Sequence, residues 1–129
     1  MSPEKLIDRA KEAMMHAYAP YSGFYVGAAL LCADGTVYQG CNIENAAYGP
    51  TNCAERTAVF KAVSEGHHRF KRIVVAGRSD SPCVPCGECR QVLSEFAPEL
   101  EVICLDKSGN ELALSLSDLL PHSFNKSFL

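Results

Sequence analysis

Polar and apolar positions follow two rhythms along the chain. Leu6, Ala10, Ala13, Met14 and Ala17 recur every three or four residues, the period of a helix with one apolar stripe. Ser2, Pro3 and Glu4 before them supply a capping hydroxyl, a first-turn proline and an early acid, so a helix is predicted from Ser2 to about Ala19-Pro20. The rhythm then changes. Residues 24–32 are almost unbroken apolar, Asp34-Gly35 is a hairpin signal, and 36–43 returns as a second strand. Ala54, Ala58 and Ala62, with Val59 and Val63 beside them and Gly66 as a stop, restore the helical period over 53–65. Residues 72–77 read as a short buried strand, and a third helix starts at Cys86 and carries Cys89, Val92, Leu93 and Phe96. Strands at 101–105 and 111–114 are joined by only Lys107-Ser108-Gly109-Asn110. So short a link permits an antiparallel pair and no crossover. A capped turn of helix over 117–121 follows.

This order predicts an α/β fold with right-handed crossovers: a three-layer α/β/α sandwich around a mixed five-stranded sheet. At 129 residues, 47% of them hydrophobic, the chain is expected to form a single domain over 1–129 with a packed core. Twelve Lys and Arg against fifteen Asp and Glu leave a net charge of −3, which argues against a nucleic-acid partner and favours a small, weakly charged one. Glu4, Lys5, Asp8, Arg9, Lys11 and Glu12 speak against an apolar secretory segment, and no run has the roughly 20 apolar residues of a membrane span. A soluble, cytoplasmic protein without a membrane partner is the expectation. Seven cysteines then read as reduced thiols and a metal site, not a disulfide framework. Cys32, Cys41 and Cys104 sit in strand-like runs and are expected to act as small buried hydrophobes. His16, at the end of the first helix, is expected to be a surface or packing residue and not a ligand, while His67 and His68, in a polar turn, are expected at the surface.

The chemistry gathers in Cys53-Ala54-Glu55-Arg56 and Pro85-Cys86-Gly87-Glu88-Cys89. Cys53, Cys86 and Cys89 can fill three corners of a zinc tetrahedron, one fewer than a closed structural site requires. The open corner would hold water, and Glu55 lies close enough along the chain to move that water's proton without being a ligand. Both segments are read as helix starts, where the helix dipole favours thiolate. Cys83 leaves a rival open, because Cys53, Cys83, Cys86 and Cys89 together could close a purely structural site. Asn42 and Glu44, two apart at a strand end, can point to one side. Phe24 is either core or a flat face for a heterocycle.

With Cys-Ala-Glu-Arg followed by Pro-Cys-x-x-Cys, the sequence resembles the cytidine deaminases, in their small all-cysteine branch. The likeness runs from Tyr18-Ala19-Pro20-Tyr21-Ser22 through Phe24-x-Val26-Gly27-Ala28-Ala29-Leu30 and the stretch from Gly40 to Tyr48, to Cys86-Gly87-Glu88-Cys89-Arg90-Gln91. It implies one Zn²⁺ per chain on the three cysteines, Glu55 as catalytic acid–base, and hydrolysis of cytidine and deoxycytidine to the uridines and ammonia in pyrimidine salvage. It further implies that Phe24, Asn42, Glu44, Ala54, Tyr48 and Phe124 bind substrate, with Asn42 and Glu44 on the ribose hydroxyls and Arg56 hydrogen-bonded to thiolate. A homotetramer with shared sites is implied too, Tyr48 and Phe124 being the candidates for borrowed groups; for Phe124, covering its own core is the alternative. Deamination of a cytosine nucleoside antibiotic is a second reading of the same motif. Two residues depart from the pattern: Val84 stands where a small polar residue is common, and Glu88 puts a negative charge beside an anionic cluster.

Overall fold

The structure is a computed structural model that describes residues 1–129. Helix α1 (Pro3–Met14) is followed by strands β1 (Val26–Cys32) and β2 (Val37–Cys41), helix α2 (Ala54–Ser64), strand β3 (Phe70–Gly77), helix α3 (Gly87–Phe96), strands β4 (Glu101–Leu105) and β5 (Glu111–Ser115), and the short helix α4 (Leu116–Leu119). The five strands form one mixed sheet in the order β2-β1-β3-β4-β5. β3 and β4 are parallel across the α3 crossover, and the other three pairings are antiparallel. The three-layer α/β/α sandwich expected from the sequence is the fold observed.

β1 lies inside the sheet, and all seven of its residues are buried, as an unbroken apolar run requires of a strand covered on both faces. Alternate side chains serve two cores. Ala28, Leu30, Ile73, Val75, Val102 and Cys104 face α2 and α3, while Ala29, Leu31, Val74, Ala76, Ile103 and Leu105 face α1. Two of the covering helices, α1 and α2, each lie close on a glycine. A Cβ on Gly27 would sit 2.1 Å from the Ala10 carbonyl oxygen, and one on Gly40 would sit 2.4 Å from that of Ala54. Gly40 therefore seats the start of α2, and with it Cys53 and Glu55, directly on the sheet.

Several element ends differ from the sequence reading. α1 stops at Met14, where Met15 and His16 turn out to solvent and Tyr18 leaves to form a bridge with Ile43. β1 starts at Val26 because the Phe24 N–H and carbonyl are taken by the Ser22 hydroxyl and the Asn42 amide. β3 begins earlier than expected, at Phe70, which pairs with Cys32 across a register shift. The last helix is capped by Ser115, not Ser117, with Asp118 closing the capping box. Cys32 and Cys104 are buried as expected, but Cys41 is only half-buried. His16 and His68 are exposed, whereas His67 bridges Tyr38 (3.0 Å) and Asp34 (3.1 Å) and ties the β1–β2 turn to the turn after α2. No helix is long and apolar enough to cross a membrane.

Candidate active site and metal centre

α2 and α3 begin at the same place on one sheet face, and a cysteine stands at the N-cap of each. Cys53 (φ −78°, ψ 158°) and Cys86 (φ −68°, ψ 171°) have the extended backbone of a cap, yet neither side chain caps its helix. Both sulfurs are thus free to turn toward each other at the positive end of two helix dipoles. Cys89, one turn into α3, is fully buried and completes the group. The three Sγ atoms lie within 4.8 Å of one another, and Cys53 and Cys86 are 3.8 Å apart. Sulfurs on a tetrahedral zinc with bonds of about 2.3 Å are separated by about 3.8 Å, so the spacing fits that ion. Three soft donors also leave a corner of the tetrahedron free.

The electrostatics fit the same ion. The neighbouring Cys89 sulfur, with a hydrogen bond from Arg56, outweighs burial and pulls the Cys53 thiol down to about 5. Cys89 is pushed up by the same neighbour and by burial. Arg56 Nη2 donates to Cys53 Sγ at 3.2 Å, and its Nη1 donates to Glu88 at 3.1 Å. Its Nε–H, on the same guanidinium, is buried without a partner. A buried unpaired donor is costly, and thiolate charge gathered at the sulfurs is what this donor would favour. Glu88 is not the bare charge beside the cluster that the sequence implied. It reaches out as the ion-pair partner of Arg56, with 80% of its side chain exposed.

Glu55, in the first turn of α2, is only 4% exposed. Burial, reinforced by negative charge on Cys53, raises its carboxyl to about 7. It lines a cleft of about 240 Å³ together with Phe24, Asn42, Glu44, Cys53, Ala54 and Cys86. Phe24 is 39% exposed, so its ring belongs to the cleft and not to the core. Cys83 lines the same cleft but stands outside the three-sulfur group, which removes the four-sulfur structural site. It rests on Gly77, where a Cβ would come within 2.9 Å of its Sγ, and burial pushes its thiol up to about 12.

Asn42 and Glu44 also have internal work. The buried Asn42 accepts from the Val26 N–H (2.9 Å) and donates to the Phe24 carbonyl (2.7 Å). Glu44 accepts from the Tyr21 and Ser22 N–H groups at 2.9 and 3.0 Å and from the Ser22 hydroxyl, and that hydroxyl bond is the largest cause of its lowered pKa. One Asn42 amide hydrogen and free carboxylate lone pairs remain for a ligand. Tyr48 is 78% exposed and sits in a neighbouring hollow that shares Ser22, Glu44 and Thr51 with the cleft. Phe124 lines no part of the cleft. Its exposed ring stacks on Phe128 at 5.3 Å, so it does not cover the core either. Ser22, Thr51 and Asn52 are cleft residues that the sequence reading did not single out. Ser22 lay within the quoted Tyr-Ala-Pro-Tyr-Ser block, but Thr51 and Asn52 come in through the Ile43–Asn52 bridge, for which no sequence signal exists.

Comparison with known proteins agrees with this site. The family described as "Cytidine and deoxycytidylate deaminase zinc-binding region" matches residues 1–105. A cytidine deaminase of Sporosarcina psychrophila is 51% identical, covering 100% of this chain and 96% of its own. One from Halalkalibacterium halodurans is 49% identical over 96% of this chain and 95% of its own. The crystal structure of cytidine deaminase from Burkholderia pseudomallei superposes with a TM-score of 0.93 at 50% identity, covering 96% of this chain and 100% of that one. A family match over most of the length, near-half identity end to end and a shared fold lead to one conclusion: the chain belongs to the zinc-binding cytidine deaminase family.

Proposed function

We propose that the chain hydrolyses cytidine and deoxycytidine to uridine and deoxyuridine with release of ammonia, using one zinc ion held by Cys53, Cys86 and Cys89. One observation carries this reading: a carboxyl raised to about 7 by burial faces a cleft beside three converging sulfurs. An acid–base that ionises near neutrality can both take and give protons there. When bound, zinc supplies the Lewis acidity that makes water a nucleophile at neutral pH. Glu55 accepts one proton from the attacking water and delivers it to the ring nitrogen beside C4. It then carries the water's second proton to the departing amine. Oxygen is left on C4, ammonia leaves, and Glu55 returns to its starting state.

Around this step Phe24 offers a face to the pyrimidine, and Ala54 lines the cleft beside Glu55. Asn42 and Glu44 use their remaining hydrogen-bonding capacity on the ribose hydroxyls, while their internal bonds hold Phe24 and the 21–22 turn in place. Arg56 draws charge from the Cys53 thiolate. Residues 1–129 act as one domain, in a cytoplasmic homotetramer that serves pyrimidine salvage. Within one chain Tyr48 and Phe124 lie outside the cleft and are exposed, which suits groups that complete a neighbouring subunit's site. Ammonia release from cytidine before and after removal of zinc tests the proposal. Turnover that disappears with the metal and returns on adding zinc is expected; metal-independent turnover, or none with zinc bound, would overturn it.

A further inference from the structure

The residues just after the Cys86–Cys89 pair have no place in the mechanism above, yet they make long-range bonds. Arg90 Nε donates to the Pro85 carbonyl at 2.8 Å, and Arg90 Nη1 donates to the Leu119 carbonyl at 2.9 Å. Next to it, Gln91 Nε2 donates to the Phe124 carbonyl at 2.8 Å. Pro85 is fully buried, and its carbonyl belongs to the peptide plane that carries Cys86. Leu119 ends α4, where carbonyls lack helical partners and a cation is favoured. One planar guanidinium therefore spans a metal-binding peptide and the root of the C-terminal segment. Beyond Leu120, the Gln91 bond is the only hydrogen bond that holds residues 121–129 to the rest of the chain.

We propose that Arg90 is a positioning residue that fixes the Pro85–Cys86 peptide plane against the C-terminal segment, so that metal retention and order around Leu119 are linked. The proposal rests on the zinc-deaminase reading in taking Cys86 as a ligand. Linkage of this kind is reciprocal: whatever zinc does to the hold on Leu119, that hold does to zinc. Lysine keeps the charge but cannot bridge two carbonyls in a fixed plane. The one side-chain hydrogen bond of Gln91 goes to the tail, so its loss frees Phe124 without removing a bond to the cysteine segment.

The test reads zinc transfer to a chromogenic chelator and hydrogen exchange of the Leu120 and Phe128 amides, in the full chain with and without zinc. In the wild type, removal of zinc should speed exchange at Leu120, whose N–H is bonded to the Leu116 carbonyl, several-fold. Arg90→Lys should release zinc about tenfold faster, the order of one charge-assisted hydrogen bond, and should abolish the effect of zinc on Leu120. Gln91→Ala should speed exchange at Phe128 and leave zinc release at the wild-type rate. A folded Arg90→Lys variant with wild-type zinc release overturns the proposal, as does wild-type Leu120 exchange indifferent to zinc. That second measurement needs no variant and decides alone if Arg90→Lys does not fold. A wild-type chain that takes up no zinc overturns the functional reading and this proposal with it, whereas stoichiometric zinc without linkage overturns only the proposal.

Discussion

The two faces of the sheet are covered by helices that start in different ways. On one face, α1 has a side-chain cap: Ser2 takes the extended cap conformation, and its hydroxyl accepts the Lys5 N–H. On the other, Cys53 and Cys86 take the same backbone conformation and cap nothing. Packing does not separate the faces, since α1 and α2 each lie on a sheet glycine and each face has its own buried apolar cluster. Their difference is in polar burial. The α1 face encloses Leu6, Ala10 and strand aliphatics, whereas the α2–α3 face also holds Glu55 at 4% exposure. A helix start whose own side chain leaves it unsatisfied is where this fold places its chemistry.

The largest effect should come from separating chemistry from packing at Glu55. Glu55→Gln is expected to keep zinc and lower kcat by 10³-fold or more, at the upper end of the roughly 10²–10⁴ common for one acid–base group, because here one carboxylate serves successive transfers. Steady-state kinetics on zinc-loaded protein checks this. On the opposite face, Leu6→Ala should cost about 2–5 kcal/mol of stability while zinc content and kcat hold. Chemical denaturation with a parallel metal assay checks that the faces are separable.

Metal-free protein gives a third, smaller contrast. The Glu55 carboxyl is raised in the folded state to about 7, from an ordinary value of 4.5. Its contribution is therefore intact below pH 4.5 and lost as pH rises through 7. Relative to wild type, metal-free Glu55→Gln should gain about 3 kcal/mol between pH 4 and pH 8, and no such gain is expected for a substitution on the α1 face. Denaturation midpoints across that range read the difference. The smallest effect concerns the caps themselves. Cys86→Ser supplies the cap that α3 lacks, so the metal-free variant should be up to about 1 kcal/mol more stable while it fails to retain zinc. A variant less stable than wild type would mean that the uncapped start is not a cost of the site.

The sheet elements and the zinc motif were legible because each rests on local pattern: apolar runs, a turn signal, cysteine spacing. The order β2-β1-β3-β4-β5 was not, since nothing local tells β1 to pair with β3. Asn42 and Glu44 could be picked out by spacing, but not their bonds to Phe24 and to residues 21–22, which depend on how a loop closes. Glu88 looked like excess charge from sequence because its partner, Arg56, lies 32 residues away. Cys83 shows the opposite limit. Three residues from Cys86, it looked available for a fourth bond, yet it is spent on packing against Gly77.

That last point gives the most direct test of the central claim, an open three-sulfur site served by Glu55. Zinc content and cytidine turnover should be measured side by side for Cys53→Ala, Cys83→Ala, Cys86→Ala and Cys89→Ala. The Cys53, Cys86 and Cys89 variants should lose zinc and activity together, while Cys83→Ala should keep one zinc per chain and turn over cytidine. Loss of zinc from Cys83→Ala, or full zinc retention by any of the other three, would contradict that claim.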